Sequence, residues 1–239
     1  DMEPEDGASH YSETLVGLPG IGTCYAQPVL PDAGTRASLG LPEGRHLYLV
    51  PQSLFKIHPD NDRLLAEVLS RDSGGTLVMF QSRNSLAQAA FRLRLDAVLA
   101  EYGVSPHRVT TLPFLVHDDY LRVNMNADVM LDCLHWSGGN TSLDAIAAGL
   151  PIVTLPGRFM RARQSAGMLS RLQLPELIAP NEEEYLNIAL RLGCDKPWRE
   201  EVSHRIVAGH GRLFDDPKPL AVLETFLLDR RISVAALEV

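Results

Sequence analysis

Cysteine is scarce in this chain of 239 residues: Cys24, Cys133 and Cys194 are odd in number and far apart. That excludes a disulfide framework and a CxxC metal or redox pair. No run of about 18 apolar residues is present to span a bilayer, and no basic, apolar leader opens the sequence, so the expectation is a cytoplasmic protein. Positive charge is also short, with 22 Lys and Arg against 30 Asp and Glu and a formal net charge of -8. Broad attraction to nucleic acid or to an anionic membrane needs a basic field and is excluded as a partner mode. A phosphate ligand would have to be captured locally. There is no HExxH, no histidine cluster at zinc spacing and no GxSxG elbow, which removes zinc proteases and covalent hydrolases from consideration.

What is present describes a globular domain. The chain is 45% apolar and 22% charged, enough to bury one large core with a second small unit possible. Residues 1–40 open acidic and Gly/Pro-rich, DMEPEDGASHYSETLVGLPG, and read as a linker and entry segment. With no initiator methionine, the expectation is that a folded half precedes it. Residues 41–239 then alternate short apolar runs with helical stretches. The runs at 46–51, 76–81, 108–112, 128–134 and 151–155 each have the length of a buried strand.

Between them, Leu64, Leu65, Val68 and Leu69 mark a helix over 60–70, and Phe91, Leu95, Val98 and Tyr102 mark a longer one. Residues 182–192 carry a stripe of Tyr185, Ile188, Ala189 and Leu192, opened by Asn181 as N-cap with Glu184 three positions on. Residues 197–232 read as terminal helices interrupted by Gly209, Gly211, Pro217 and Pro219. Parallel strands need crossovers of a dozen or more residues, so this alternation predicts a doubly wound, Rossmann-like parallel α/β sheet.

In such sheets ligands bind beyond the carboxyl ends of the strands, where strand order reverses. The richest candidate is a strand ending near Leu134 that runs into Ser137, Gly138, Gly139, Asn140 and Thr141 and then a helix to about Ala148. Two glycines let the backbone approach a ligand, and the free N–H groups of the following helix favour a phosphate. Asp144, one turn into that helix, could accept hydrogen bonds from ribose hydroxyls. The plainer alternative is a chain turn with Asn140 or Thr141 as N-cap and Asp144 placed by the helix dipole. No GK[ST] follows, so this is not a Walker loop.

The stretch 127–157, with LDC and GGNTSLDAIAAGLPIVTLPG, together with SLFKIHPD, resembles the C-terminal catalytic half of the protein O-GlcNAc transferase family, which includes Spindly-type members. The resemblance extends from YSETLVGLP at Tyr11 to NEEEYLNIALRLG and covers most of the chain. It implies a GT-B glycosyltransferase whose C-terminal half binds a nucleoside diphosphate sugar, usually UDP-GlcNAc. The N-terminal half and helical repeats of the same polypeptide would recognise a protein acceptor at Ser or Thr. By the resemblance Lys56 contacts the diphosphate and steadies the departing charge, as a fixed cation should.

The base and ribose segment falls on LPFLVHDDYLR. There Leu115 offers backbone contacts, His117 takes the place of a lysine common in animal members, and Tyr120 and Arg122 lie alongside. The family's GHTT is here Gly138, Gly139, Asn140, Thr141, without the histidine and one threonine.

Asp60-Asn61-Asp62 spells DxD, a metal motif of the other glycosyltransferase fold, but it follows a proline and opens a helix, where capping is the expectation. No metal or other cofactor is expected, because Lys56 and helix N–H groups can do the work of a cation. His135 lines the site or bonds to backbone, and Arg163 is the one arginine of PGRFMRARQSAG we expect near the donor. Two rivals remain: a UDP-sugar 2-epimerase, which shares the architecture, and a degenerate binding module, favoured by the altered loop.

Overall fold

A computed structural model describes residues 2–235. Five strands form one sheet: β1 (His46–Val50), β2 (Gly75–Phe80), β3 (Val109–Leu112), β4 (Val129–Leu131) and β5 (Ile152–Val153). All pairings are parallel and the order is β3-β2-β1-β4-β5. Leu47, Tyr48, Leu49 and Val50 are fully buried, as expected of a central strand covered on both faces. Each strand matches one apolar run, β2 starting one residue before its run at Gly75 and β5 keeping only two residues of its own.

The chain winds away from β1 through α1 (Asp60–Arg71) and α2 (Ser85–Glu101), then returns through α3 (His117–Asn126) and α4 (Asn140–Ala147). The direction reverses between β1 and β4, so the loops after these two strands face each other across a crevice. Beyond β5 come α5 (Gln164–Arg171), α6 (Glu182–Cys194), α7 (Lys196–Ala208) and α8 (Lys218–Ala235). Asn181 caps α6 as expected, its Oδ1 accepting from the Glu184 N–H at 2.9 Å. In α2 the inward stripe is Phe91, Leu95 and Leu99, with Val98 and Tyr102 only partly covered.

Residues 2–40 contain only two short 3-10 turns, yet they are tied to the domain. The Arg36 guanidinium donates to Asn126 O, Arg45 O and Asp128 Oδ2 at 3.0, 2.8 and 2.8 Å. Tyr25 O accepts from the Asp215 N–H at 2.9 Å, and Ile21 and Leu41 join the core. The entry segment is a strap over the α3 and α4 side. No helix among the described residues is long and apolar enough to cross a membrane.

Candidate functional site

The loop after β4 is shaped from beneath by one buried carboxylate. Asp132, 3% exposed, accepts from Ser137 Oγ at 2.6 Å, the Gly138 N–H at 2.8 Å and Thr154 Oγ1 at 2.7 Å. Ser165 extends the network, its Oγ lying 2.9 Å from Ser137 Oγ and 2.8 Å from Ser142 Oγ. Burial pushes the Asp132 carboxyl up against the pull of these donors. Fully partnered, such a network fixes one loop conformation.

That conformation presents the start of α4. Intrahelical bonding begins with the N–H groups of Ser142 and Leu143, which donate to Gly139 O at 3.0 and 3.1 Å. The preceding N–H groups of Asn140 and Thr141 are therefore open to an anion. Thr141 Oγ1 is buried and has no hydrogen-bond partner among the described residues. Gly139 abuts Gln164, whose Oε1 would lie 2.8 Å from a Cβ there.

Across the crevice, β1 ends in a 3-10 turn, Leu54–Lys56, which carries Lys56 to the glycine loop. Its Nζ lies 5.3 Å from the centroid of the Trp136 ring, a cation–π contact that joins the β1 loop to the β4 loop. Beside this turn a cavity of about 830 Å3 opens over the ends of β1, β2 and β3. Leu115 and His117 line it, with Tyr120, Phe80 and Gln52. Gln52 is 3% exposed and its Nε2 has no partner among the described residues.

His117 and Asp144 connect the cavity to the glycine loop. His117, the first residue of α3, places Nε2 3.5 Å from Asp144 Oδ1, and Tyr25 Oη from the strap donates to the same oxygen at 3.4 Å. Burial pushes the Asp144 carboxyl up, and His117 opposes the shift. Lys56, Leu115, His117, Gly138, Gly139, Asn140, Thr141 and Asp144 thus all lie around the β1–β4 crevice, although only Leu115 and His117 of these line the cavity itself.

Arg122 does not join them. Its guanidinium pairs with Asp32 of the strap at 2.6 Å and with Asp119 at 2.8 Å. Arg163 donates to Gly157 O at 3.0 Å and supports the neighbouring turn. Asp60 and Asp62 fall in the first turn of α1, at the dipole end as expected, but neither caps it, the N-cap being Pro59 without a side-chain bond. Asp62 is buried against Arg94, and Asp60 pairs with His135 at 2.7 Å and His58 at 3.2 Å. Hydrogen bonding from His135 holds the Asp60 carboxyl below its ordinary range. Sequence reasoning missed Asp132, Ser165, Gln52 and Tyr25, whose parts depend on contacts between distant segments.

An open parallel sheet of this order, with a glycine loop and helix start at its switch point, is a Rossmann-like α/β domain, and the solved structures it superposes on are GT-B glycosyltransferases. The chain belongs to glycosyl transferase family 41, whose family model matches residues 24–215. Among curated relatives, a tomato (Solanum lycopersicum) protein described as "Probable UDP-N-acetylglucosamine--peptide N-acetylglucosaminyltransferase SPINDLY" is 27% identical over 195 residues, 81% of this chain and 20% of that protein. The Caenorhabditis elegans UDP-N-acetylglucosamine--peptide N-acetylglucosaminyltransferase is 29% identical over 161 residues, 67% of this chain and 14% of its own length. The chain therefore spans only about a fifth of the first of these relatives.

Among solved structures, a mutant of the Thermobaculum terrenum O-GlcNAc transferase superposes with a TM-score of 0.79 at 26% identity, covering 94% of this chain and 42% of that one. Sucrose-phosphate synthase from Thermosynechococcus elongatus shares the fold, with a TM-score of 0.61 at 21% identity over 91% of this chain and 52% of its own.

Proposed function

We propose that this chain is the donor-binding half of a protein O-GlcNAc transferase, holding UDP-GlcNAc for transfer of the sugar to Ser or Thr of a protein. The observation that carries the reading is convergence. Lys56, the glycine loop and the His117–Asp144 pair come from three separate segments and meet at one strand-order reversal. The N–H groups of Asn140 and Thr141, the unpartnered Thr141 hydroxyl and Lys56 take the diphosphate. Asp144 accepts from the ribose, and the cavity at Leu115 and His117 takes the base. As the sugar leaves the β-phosphate, negative charge grows on the diphosphate, and a fixed Lys56 is worth most at that point. No metal is needed in this scheme. The acceptor is recognised by a facing half and helical repeats, and the catalytic base comes from that half or from the donor itself, so this chain alone should bind nucleotide weakly and turn over little.

Calorimetric titration with UDP, GDP and UMP, with and without chelator, tests the reading. Chelator-insensitive UDP binding that is lost in Lys56→Ala and Asp144→Ala supports it. Absence of binding to any nucleotide, or rapid sugar transfer by this chain alone, overturns it.

A further inference from the structure

Beside the donor loop, His58, Asp60 and His135 bring three ligand atoms within 4.8 Å of one another. His58 Nδ1 lies 3.2 Å and His135 Nε2 2.7 Å from the same oxygen, Asp60 Oδ2, and the two rings stand 4.6 Å apart. We propose that these three residues form a binding site for a borderline-soft divalent cation such as Zn2+, distinct from the donor site and independent of the donor reading.

Three observations support it. The donor set of two imidazoles and one carboxylate is one that zinc and its neighbours favour, and all three side chains are about half exposed, so water can complete the shell. Zinc bonds of about 2.0–2.1 Å put tetrahedral ligand atoms roughly 3.3 Å apart. The His58 contact already has that spacing, and the His135 contact has only to open by about half an ångström.

The metal-free contacts also conflict. His58 Nδ1 lies 3.3 Å from the Asp60 N–H, in place to accept from it, yet 3.2 Å from Asp60 Oδ2, to which it would have to donate. If Nδ1 accepts that N–H, Nδ1 and Oδ2 meet as two acceptors with no proton between them, a repulsive contact that a cation bound to both would replace, in exchange for the Asp60 N–H bond.

The third observation is preorganisation. Asn61, 4% exposed, donates through Nδ2 to His58 O at 2.9 Å and accepts through Oδ1 from the Leu134 N–H at 2.8 Å. This one side chain fixes the segments that carry both histidines. His135 then turns toward Asp60 from a left-handed backbone, φ 67°, which a non-glycine residue adopts only where its surroundings impose it.

A second group, His46, Asp72 and Cys194, has similar spacing. There the contacts are met without a cation: His46 Nδ1 donates to Asp72 Oδ2 at 2.8 Å, with Cys194 Sγ 3.8 Å from the same nitrogen as a weak second acceptor, and Tyr48 Oη donates to the same carboxylate oxygen at 2.9 Å. It serves as the control.

The test is calorimetric titration of the untagged chain with Zn2+, and absorption spectra with Co2+, both without nucleotide. The expected result is one equivalent bound, weakened by at least about tenfold in His58→Ala and in His135→Ala and unchanged in Cys194→Ser. The cobalt spectrum should show no thiolate charge-transfer band. Circular dichroism confirms that the two exposed-site variants fold. No binding at millimolar Zn2+, binding unchanged in both histidine variants, or binding lost in Cys194→Ser overturns the proposal. Because no nucleotide is present, none of these results depends on the UDP titration.

Discussion

A β-carbon on Gly138 would lie 2.1 Å from Ser142 Oγ and 2.8 Å from Thr141 Oγ1. Ser142 cannot yield easily, because its hydroxyl is bonded to Ser165 inside the domain. Gly138→Ala should therefore unseat the start of α4, with an overpacking cost of about 1–3 kcal/mol. Thermal unfolding should show a lowered Tm, and calorimetry should show loss of UDP binding. An alanine variant with full affinity would mean that the loop does not hold the phosphates.

Lys56 is assigned to the diphosphate, so its removal should discriminate between ligands. Lys56→Ala should weaken UDP by roughly ten- to a hundredfold, the range of a hydrogen bond to a charged group. UMP, with one phosphate fewer, should lose less. Equal losses for the two nucleotides would place Lys56 away from the leaving phosphate.

Asp144 carries a conflict between fold and site. Burial raises its carboxyl above the ordinary value, so the folded chain favours the neutral form. Its contribution to stability is present below the unfolded pKa and lost as pH rises through the folded one. Asp144→Asn should consequently hold or gain stability at pH 7, with the difference from the parent shrinking toward pH 4, while UDP affinity falls. Urea midpoints across that pH range, with UDP titrations alongside, give both arms.

Asp132 touches no proposed ligand atom but orders the residues that do. Asp132→Ala would leave Ser137, Thr154 and the Gly138 N–H without their shared acceptor, at about 1–3 kcal/mol for each buried group left unpaired. Both Tm and UDP affinity should drop. Affinity retained in a folded variant would show that the loop keeps its shape without this support.

Much of the fold was legible because its signals are local. Each apolar run matches a strand, and the Asn181 cap with its inward stripe marked α6. That the glycine loop, Lys56, His117 and Asp144 would gather at one crevice was legible from the order of motifs, while what they bind stays with the proposal. Arg122 was not legible: its partner Asp32 is 90 residues away in sequence and reaches it only when the strap packs on α3. The DxD motif likewise carried no sign that its first aspartate meets His135 and its second Arg94. Asp132 looked like any strand-end residue, since its partners Thr154 and Ser165 arrive only when β5 and α5 pack beside it.

The Asp132 network bears finally on how quickly a ligand is captured. A glycine-rich loop that had to be ordered by its ligand would surrender conformational entropy at each encounter. Here Ser137, Ser142, Thr154 and Ser165 settle that order during folding, from inside the domain. Nucleotide association should proceed in a single kinetic phase that scales with concentration, with no slow rearrangement of the loop after contact.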